Sequence, residues 1–122
     1  MGICYQIGDK DTRPWGTWEV LAIGENYIVK RINIYPKQSV SLQLHHYRNE
    51  HWIIVKGTGT VILNDTTQTV LQNESVYIPV ETKHRIANNT DDTLIFIEVQ
   101  TGDTLDENDI ERFDDQYGRV QS

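Results

Sequence analysis

The feature that most constrains this chain is a series of short runs rich in Val, Ile and Tyr, separated by turn residues. The predicted strands cover residues 27–35, 40–44, 51–55, 60–63, 69–71, 75–78, 84–87 and 93–100. Clusters of Gly, Pro, Asn and Asp separate them at about the 8–12-residue spacing typical of a sandwich or barrel. The sequence therefore predicts an all-β fold, and closure into a double-sheet jelly roll is one way to protect its sheet edges.

The end of the chain has a different pattern. Thr104-Leu105-Asp106-Glu107 matches a capping box, and Leu105, Ile110 and Phe113 are spaced to dock one short helix. A chain of 122 residues has the length of a single domain. We therefore expect three parts: an N-terminal arm (1–12), a barrel (13–103) and an acidic C-terminal tail with a short helix (104–122).

The charge is uneven along the chain. The net charge is -7, and the residues from Thr101 onward carry seven acids against two arginines. This balance argues against nucleic-acid binding, whereas the nearly neutral first 100 residues permit a local cationic pocket for a small anionic ligand.

No apolar run is long enough to span a bilayer. A single cysteine, Cys4, and a start unlike a signal peptide predict a cytoplasmic location.

Three of the four histidines, His45, His46 and His51, lie within seven residues beside Glu50, and this cluster suggests a metal site. Gln43 and His45 share one face of a predicted strand, whereas His46 lies on the other face. A short turn after His46 would bring Glu50 back toward the same centre, and His84 opens another strand. Imidazole and carboxylate groups of this kind suit a divalent transition metal. The alternative is that these histidines are simply packed or solvent-facing.

Two segments resemble the motifs of the cupin family. Residues 36–57 resemble the first motif, G-x5-H-x-H-x3,4-E-x6-G, with His45, Glu50 and Gly57 in place. Residues 73–88 resemble the second motif, G-x5-P-x-G-x2-H-x3-N, with His84 in place. The departures are Gln43, which replaces the first histidine, and Asn73 and Glu81, which stand at glycine positions.

A narrower resemblance covers about residues 13–119. The chain is similar to the isomerase domain of the type II phosphomannose isomerase family in several motifs in the same order: RPWG (13–16), VKRI (29–32), SLQLHHYRNEHWIIVKGTG (41–59), YIPxxTKHR (77–85), IEVQTG (97–102) and DDQYGR (114–119). The resemblance implies a single-domain cupin, a double-stranded β-helix. It also implies interconversion of mannose 6-phosphate and fructose 6-phosphate. No Gly-rich nucleotidyl-transfer loop precedes Arg13, so we expect no GDP-mannose synthesis.

The resemblance also implies a cofactor and acid–base groups. One divalent metal ion (Zn, Mn, Co, Ni or Fe) would be held by Gln43, His45, Glu50 and His84. The reaction needs a base near the C1 and C2 protons and a group for the developing oxyanion. Glu98 lies in an otherwise apolar strand, where burial would raise its pKa, and it is the first candidate for the base; an ion pair with Lys30 or Arg31 is the alternative. Glu50 is the second candidate, and Lys30 is favoured over Arg31 as the cation that faces the pocket.

Arginines are the candidates for substrate binding. Arg48 and Arg85 lie near the proposed ligands, and Arg112 and Arg119 lie in the tail. A guanidinium group can bind the phosphate of a small phosphorylated sugar in a forked geometry, whereas the alternative for each is a surface charge or a structural ion pair. Residues 1–12 are too polar to fold alone but could add to the sheet edge of a second copy, so we expect a homodimer. The alternative functions are a non-catalytic sugar-phosphate- or nucleotide-sugar-binding cupin and another cupin enzyme.

Overall fold

The computed structural model describes residues 5–114 and consists of strands joined by turns. In chain order the strands are β1 (Lys10–Arg13), β2 (Gly16–Ile23), β3 (Tyr27–Ile34), β4 (Leu42–Leu44), β5 (Asn49–Lys56), β6 (Gly59–Leu63), β7 (Thr66–Val70), β8 (Ser75–Ile78), β9 (His84–Ala87), β10 (Leu94–Thr101) and β11 (Glu111–Asp114). They form two antiparallel sheets. One has the order β1-β2-β3-β10-β5-β8 and the other the order β11-β4-β9-β6-β7.

The hydrophobic core lies between the two sheets because the strands alternate inward and outward side chains. The inward positions of β3 are buried, whereas Arg31 and Asn33 between them face outward. The main core cluster consists of Trp15, Ile32, Ile34, Trp52, Ile54, Val61, Val70, Val76, Ile78, Ile86, Leu94 and Phe96. Each fully buried side chain of this size contributes about 1.5–3 kcal/mol to the free energy of unfolding.

The core changes from apolar to polar along its length. On the inner face of β10, Leu94 and Phe96 are followed by Glu98 and Gln100, all of them buried. Gln100 is paired in register with Glu50 of the neighbouring strand β5. Carboxyl and amide groups are costly to bury without partners. One end of the barrel interior is therefore where a site is expected.

The strand prediction is confirmed for all eight predicted segments, and three further strands were missed. β1 and β11 are short and rich in charged residues, as is common for edge strands, so they lack the apolar alternation that identifies a strand. β2 contains a register shift between Val20 and Ala22, which interrupts its alternation.

The predicted C-terminal helix is wrong for the described residues. Instead of a capping box, the Asp106 carboxylate accepts a hydrogen bond from the backbone N–H of Asn108 at 2.9 Å, which closes a turn. Leu105 packs against Val20 and Ile28, and residues from Glu111 onward form β11. The rest of the tail, including Arg119, lies outside the described residues. Within residues 5–114 we find no helix with the length and apolar character needed to cross a membrane.

Candidate functional site

Three buried side chains meet at the polar end of the barrel. His45 follows β4, Glu50 lies near the start of β5 and His84 is the first residue of β9. Each is at most 3% exposed. His45 Nε2 lies 3.1 Å from one oxygen of Glu50, and His84 Nε2 lies 4.0 Å from the other. One ligand atom from each residue lies within 4.8 Å of the other two, so the three groups converge on a common centre.

The second nitrogen of each imidazole contacts a backbone carbonyl. His45 Nδ1 lies 2.6 Å from the carbonyl oxygen of Asp109, and His84 Nδ1 lies 2.8 Å from that of Thr82. A carbonyl oxygen only accepts, so both Nδ1 atoms carry a proton, and Nε2 is the nitrogen of each ring that faces Glu50. This is the arrangement that protein metal sites use to orient histidine ligands.

The charges at this centre also suit a cation. Burial lowers the pKa of His84, which keeps its imidazole neutral. Burial alone would raise the pKa of Glu50, but the Arg48 guanidinium and His45 outweigh it and hold that pKa well below its usual range. Two imidazole nitrogens and one carboxylate form a donor set that fits a divalent transition metal.

Gln43 and Arg48 complete the surroundings of the three ligands. Gln43 lines the same cavity, pairs in register with His84 and donates from its amide nitrogen to Ser41 Oγ at 3.0 Å. Arg48 donates to Glu50 Oε2 at 2.9 Å and to His45 Nε2 at 3.1 Å. Arg48 therefore shares the lone pairs that would bind a metal ion.

Glu98 lies beside this cluster and is joined to it by an indole group. Trp52 Nε1 lies 2.9 Å from Glu50 Oε1 and 3.2 Å from Glu98 Oε1, so its N–H is shared between the two carboxylates. Gln100 donates to the other oxygen of Glu98 at 2.7 Å. Burial, with added repulsion from Glu50, raises the pKa of Glu98 to about 7. A carboxyl group with this pKa can both accept and release a proton near neutral pH.

Lys30 points into the cavity, and Arg31 lies on the outer face. Lys30 pairs in register with Glu98, and its Nζ lies 4.1 Å from the ring centre of Tyr5 and 4.7 Å from that of Trp18. Burial lowers its pKa, although the Glu98 carboxylate opposes this. Arg31 forms an ion pair with Glu19 instead.

Glu50, His84, Glu98 and Lys30 line one cavity that opens to the surface. The cavity has about 120 Å³ of space that the centres of water-sized molecules can occupy. Trp15 and Trp18 form part of its wall. Arg13, Lys30, Arg48 and Arg112 line the mouth, with Lys10 and the acidic residues Asp9, Asp11 and Glu107. The mouth therefore offers five cations, against three carboxylates, to an anionic group.

The candidate arginines from the sequence lie in different places. Arg48 and Arg112 line the cavity mouth, and Arg112 pairs in register with Gln43. Arg85 lies on the opposite face of β9 from His84 and donates to the carbonyl oxygen of Val40 at 3.1 Å. The side chain of Arg85 lines neither the cavity nor its mouth, so the geometry offers no support for a substrate contact by Arg85.

Three further residues of the site were not singled out for these roles from the sequence. Trp52 and Gln100 each stand two positions after a candidate carboxylate, Glu50 and Glu98, so strand alternation alone would have placed them on the same face. Asp109 contacts the site from a turn that precedes β11. No local pattern connects Asp109 with His45, because 64 residues separate them.

Solved structures that resemble the chain define its class. It superposes with a TM-score of 0.75 on the capsular polysaccharide assembling protein CapF from Staphylococcus aureus, at 21% identity over 86% of this chain and 31% of that one. The TM-score is 0.71 for Rru_A2000 from Rhodospirillum rubrum, a cupin-2 domain, at 19% identity over 89% of this chain and 82% of that one. The fold is that of a cupin.

Sequence comparison identifies the family within that class. The family model described as "Mannose-6-phosphate isomerase C-terminal" matches residues 4–115, so the chain belongs to that family. Over 108 residues the chain is 44% identical to the mannose-1-phosphate guanylyltransferase ManC of Salmonella typhimurium and 47% identical to the alginate biosynthesis protein AlgA of Pseudomonas aeruginosa. Each alignment covers 88% of this chain and 22% of the relative, so the chain spans less than a quarter of their length.

Proposed function

We propose that this domain is a metal-dependent aldose–ketose isomerase that interconverts mannose 6-phosphate and fructose 6-phosphate. The observation that carries the proposal is the pairing of Glu98 with Glu50 through the shared Trp52 N–H. It joins a buried carboxyl group with a pKa of about 7 to a potential metal ligand in one cavity. The description of the family, which names mannose 6-phosphate, supports the choice of sugar.

His45, Glu50 and His84 would hold the metal ion, with the amide oxygen of Gln43 as a fourth ligand. The donor set suits Zn, Mn, Co, Ni or Fe in the divalent state. A bound ion of this kind supplies a Lewis acid that polarises the oxygens on C1 and C2 of the sugar. Glu50 then remains ionised because it is a ligand, and this leaves Glu98 as the base.

Glu98 moves the proton between the two carbons. In the open-chain aldose it takes the proton from C2 and returns it to C1, while a second proton passes from O2 to O1. C1 is thereby reduced to a hydroxymethyl group and C2 is oxidised to a ketone, so no external oxidant is needed. Trp52 and Gln100 orient the Glu98 carboxylate, which removes the entropy cost of finding the reactive geometry.

Lys30 and the arginines of the mouth bind the negative charges of the substrate. Lys30 stands beside Glu98 on the neighbouring strand, where a cation would stabilise the enediolate that forms when C2 loses its proton. Arg112 and Arg48, with Arg13 beside them, line the opening and would bind the phosphate. The phosphate contact exists in the ground state and in the transition state, so it contributes to KM rather than to kcat.

We also propose that the domain forms a homodimer. Ile53, Val55 and Tyr77 lie on the outer faces of the adjacent strands β5 and β8 and are 44%, 47% and 50% exposed. Clustered apolar side chains of this kind mark association surfaces. Light scattering at micromolar concentration should give the mass of two chains, and Ile53→Glu should shift the mass toward one chain. A wild-type mass of one chain contradicts the dimer.

A coupled assay tests the proposed activity. The purified chain is stripped of metal, reconstituted with each divalent ion in turn and supplied with mannose 6-phosphate or fructose 6-phosphate. We expect turnover in both directions with at least one ion and none after chelation. If the metal-loaded chain binds the sugar phosphate without turnover, the isomerase proposal fails and a non-catalytic binding cupin takes its place.

A further inference from the structure

Asp109 contacts three consecutive residues that begin with the ligand His45. One carboxylate oxygen accepts the backbone N–H of His46 at 2.8 Å and the other accepts that of Tyr47 at 2.9 Å. The backbone carbonyl oxygen of the same residue accepts Nδ1–H of His45 at 2.6 Å. Asp109 is 9% exposed, so water competes little for these contacts.

These contacts determine the position of the His45 ring in two ways. The carboxylate holds the backbone of the segment 45–47, from which the His45 side chain projects. The carbonyl holds the ring itself and keeps a proton on Nδ1, so that Nε2 is the ring nitrogen that faces Glu50. Backbone and ring are thus constrained by one residue that is itself not a ligand.

The segment that carries Asp109 is anchored on both sides. Before it, Leu105 is buried against Val20 and Ile28. After it, Glu111 of β11 pairs in register with Leu44 of β4, the strand that leads into His45. Anchoring of this kind means that Asp109 can hold the 45–47 segment in place.

We propose that Asp109 is a positioning residue for the metal ligand His45, and that the turn preceding β11 is therefore part of the metal site. The inference rests on the proposed function in so far as that function assigns a metal ion to His45, Glu50 and His84. Removing the carboxylate leaves two partly buried backbone N–H groups, those of His46 and Tyr47, without an acceptor and loosens the ring of His45. Changes in groups that orient metal ligands typically weaken metal affinity by about 10–100-fold.

The experiment compares Asp109→Asn with wild type and with Asp106→Asn. Asn has nearly the shape of Asp, but its amide nitrogen cannot accept the second backbone N–H. Asp106 lies in the same turn, where its carboxylate accepts the N–H of Asn108 and contacts none of the ligands, so it is the matched control. Zn²⁺ affinity is measured by competition with a chelating dye. We expect Kd to rise about 10–100-fold in Asp109→Asn and less than 3-fold in Asp106→Asn.

A second readout uses the metal-free protein. In wild type the Nδ1 proton of His45 should appear in the NMR spectrum as a slowly exchanging, hydrogen-bonded ring proton. Asp109→Asn should broaden it or speed its exchange, whereas the corresponding proton of His84, bonded to Thr82, should be unchanged. This internal comparison separates positioning of His45 from a general loss of stability.

The outcomes separate the two proposals. If wild type binds Zn²⁺ and Asp109→Asn binds it equally well with an unchanged His45 proton, the role of Asp109 is refuted. If wild type fails to bind any metal, the proposed isomerase fails, and the His45 proton alone decides whether Asp109 orients that ring. If Asp109→Asn broadens the Nδ1 protons of His45 and His84 alike or speeds the exchange of both, Asp109 is a general structural residue and the positioning role is refuted.

Discussion

Glu98→Gln should stabilise the metal-free protein at pH 8 while it abolishes the proposed base. Gln has the shape of the protonated carboxyl group and does not ionise. The folded protein raises the pKa of Glu98 to about 7 because the carboxyl group is buried and faces Glu50. The Gln100 amide, which donates to Glu98, can turn over and accept from the new amide group. The variant thus removes a charge that the folded state holds unfavourably.

The sign and size follow from the two pKa values. The ordinary pKa of a glutamate is 4.5, and that of Glu98 in the folded protein is about 7. Between these two pH values the folded state keeps a proton on Glu98 that the unfolded state has lost. The free energy of unfolding therefore falls as pH rises through this window and stays low above it. At about 1.4 kcal/mol per pH unit, the loss amounts to at most about 3 kcal/mol at pH 8.

Urea denaturation of both proteins at pH 5 and pH 8, with a chelator present, measures this effect. We expect the free energy of unfolding of Glu98→Gln to exceed that of wild type by up to about 3 kcal/mol at pH 8 and by much less at pH 5. Glu25→Gln, at an exposed position, is the control and should change neither value appreciably. If Glu98→Gln changes the free energy of unfolding by the same amount at both pH values, the argument that the folded state disfavours the ionised form of Glu98 is refuted.

Three further predictions address the ligands, the mouth and a strained turn. His84→Ala should weaken metal affinity, measured by chelator competition, far more than His46→Ala, because His46 is exposed and lies outside the ligand set. Arg112→Gln should raise KM for mannose 6-phosphate at nearly constant kcat, whereas Arg85→Gln, whose side chain is not among the cavity lining, should leave both unchanged in steady-state assays. Glu81→Gly should raise the free energy of unfolding in urea by roughly 1 kcal/mol, because Glu81 has φ of +60°; a loss of stability would contradict this.

Much of the fold could be predicted from sequence because apolar and polar residues alternate along a strand that has one buried face. β3 and β10 follow this rule over their whole lengths, and both were predicted. β1 and β11 could not be predicted in the same way, since they are short, largely charged strands at the sheet edges. The tail resembled a helix because a capping-box pattern stands beside apolar residues that could dock it. In the structure the Asp106 carboxylate closes a turn, and the chain continues into β11, whose pairing with β4 no local pattern reveals.

The candidate site divides in the same manner. His45 and Glu50 could be grouped because they are close in sequence and strand alternation gives their direction. Glu98 stood out because it is an acid in an apolar strand. Arg112 was named as a substrate-binding candidate from the tail alone, but its position at the cavity mouth depends on the pairing of β11 with β4. Asp109 could not be found at all, because its role depends on a contact between distant segments of the chain.

The most direct test of the account measures kcat and bound metal together in Glu98→Gln and Glu50→Gln. The account predicts that Glu98→Gln keeps one metal ion per chain and loses about 10²–10⁴-fold in kcat on mannose 6-phosphate, the usual contribution of a positioned acid–base group. Glu50→Gln should lose metal affinity together with activity. The account is contradicted if Glu98→Gln turns over at the wild-type rate, above all if Glu50→Gln keeps its metal and is inactive, because Glu50 would then be the base.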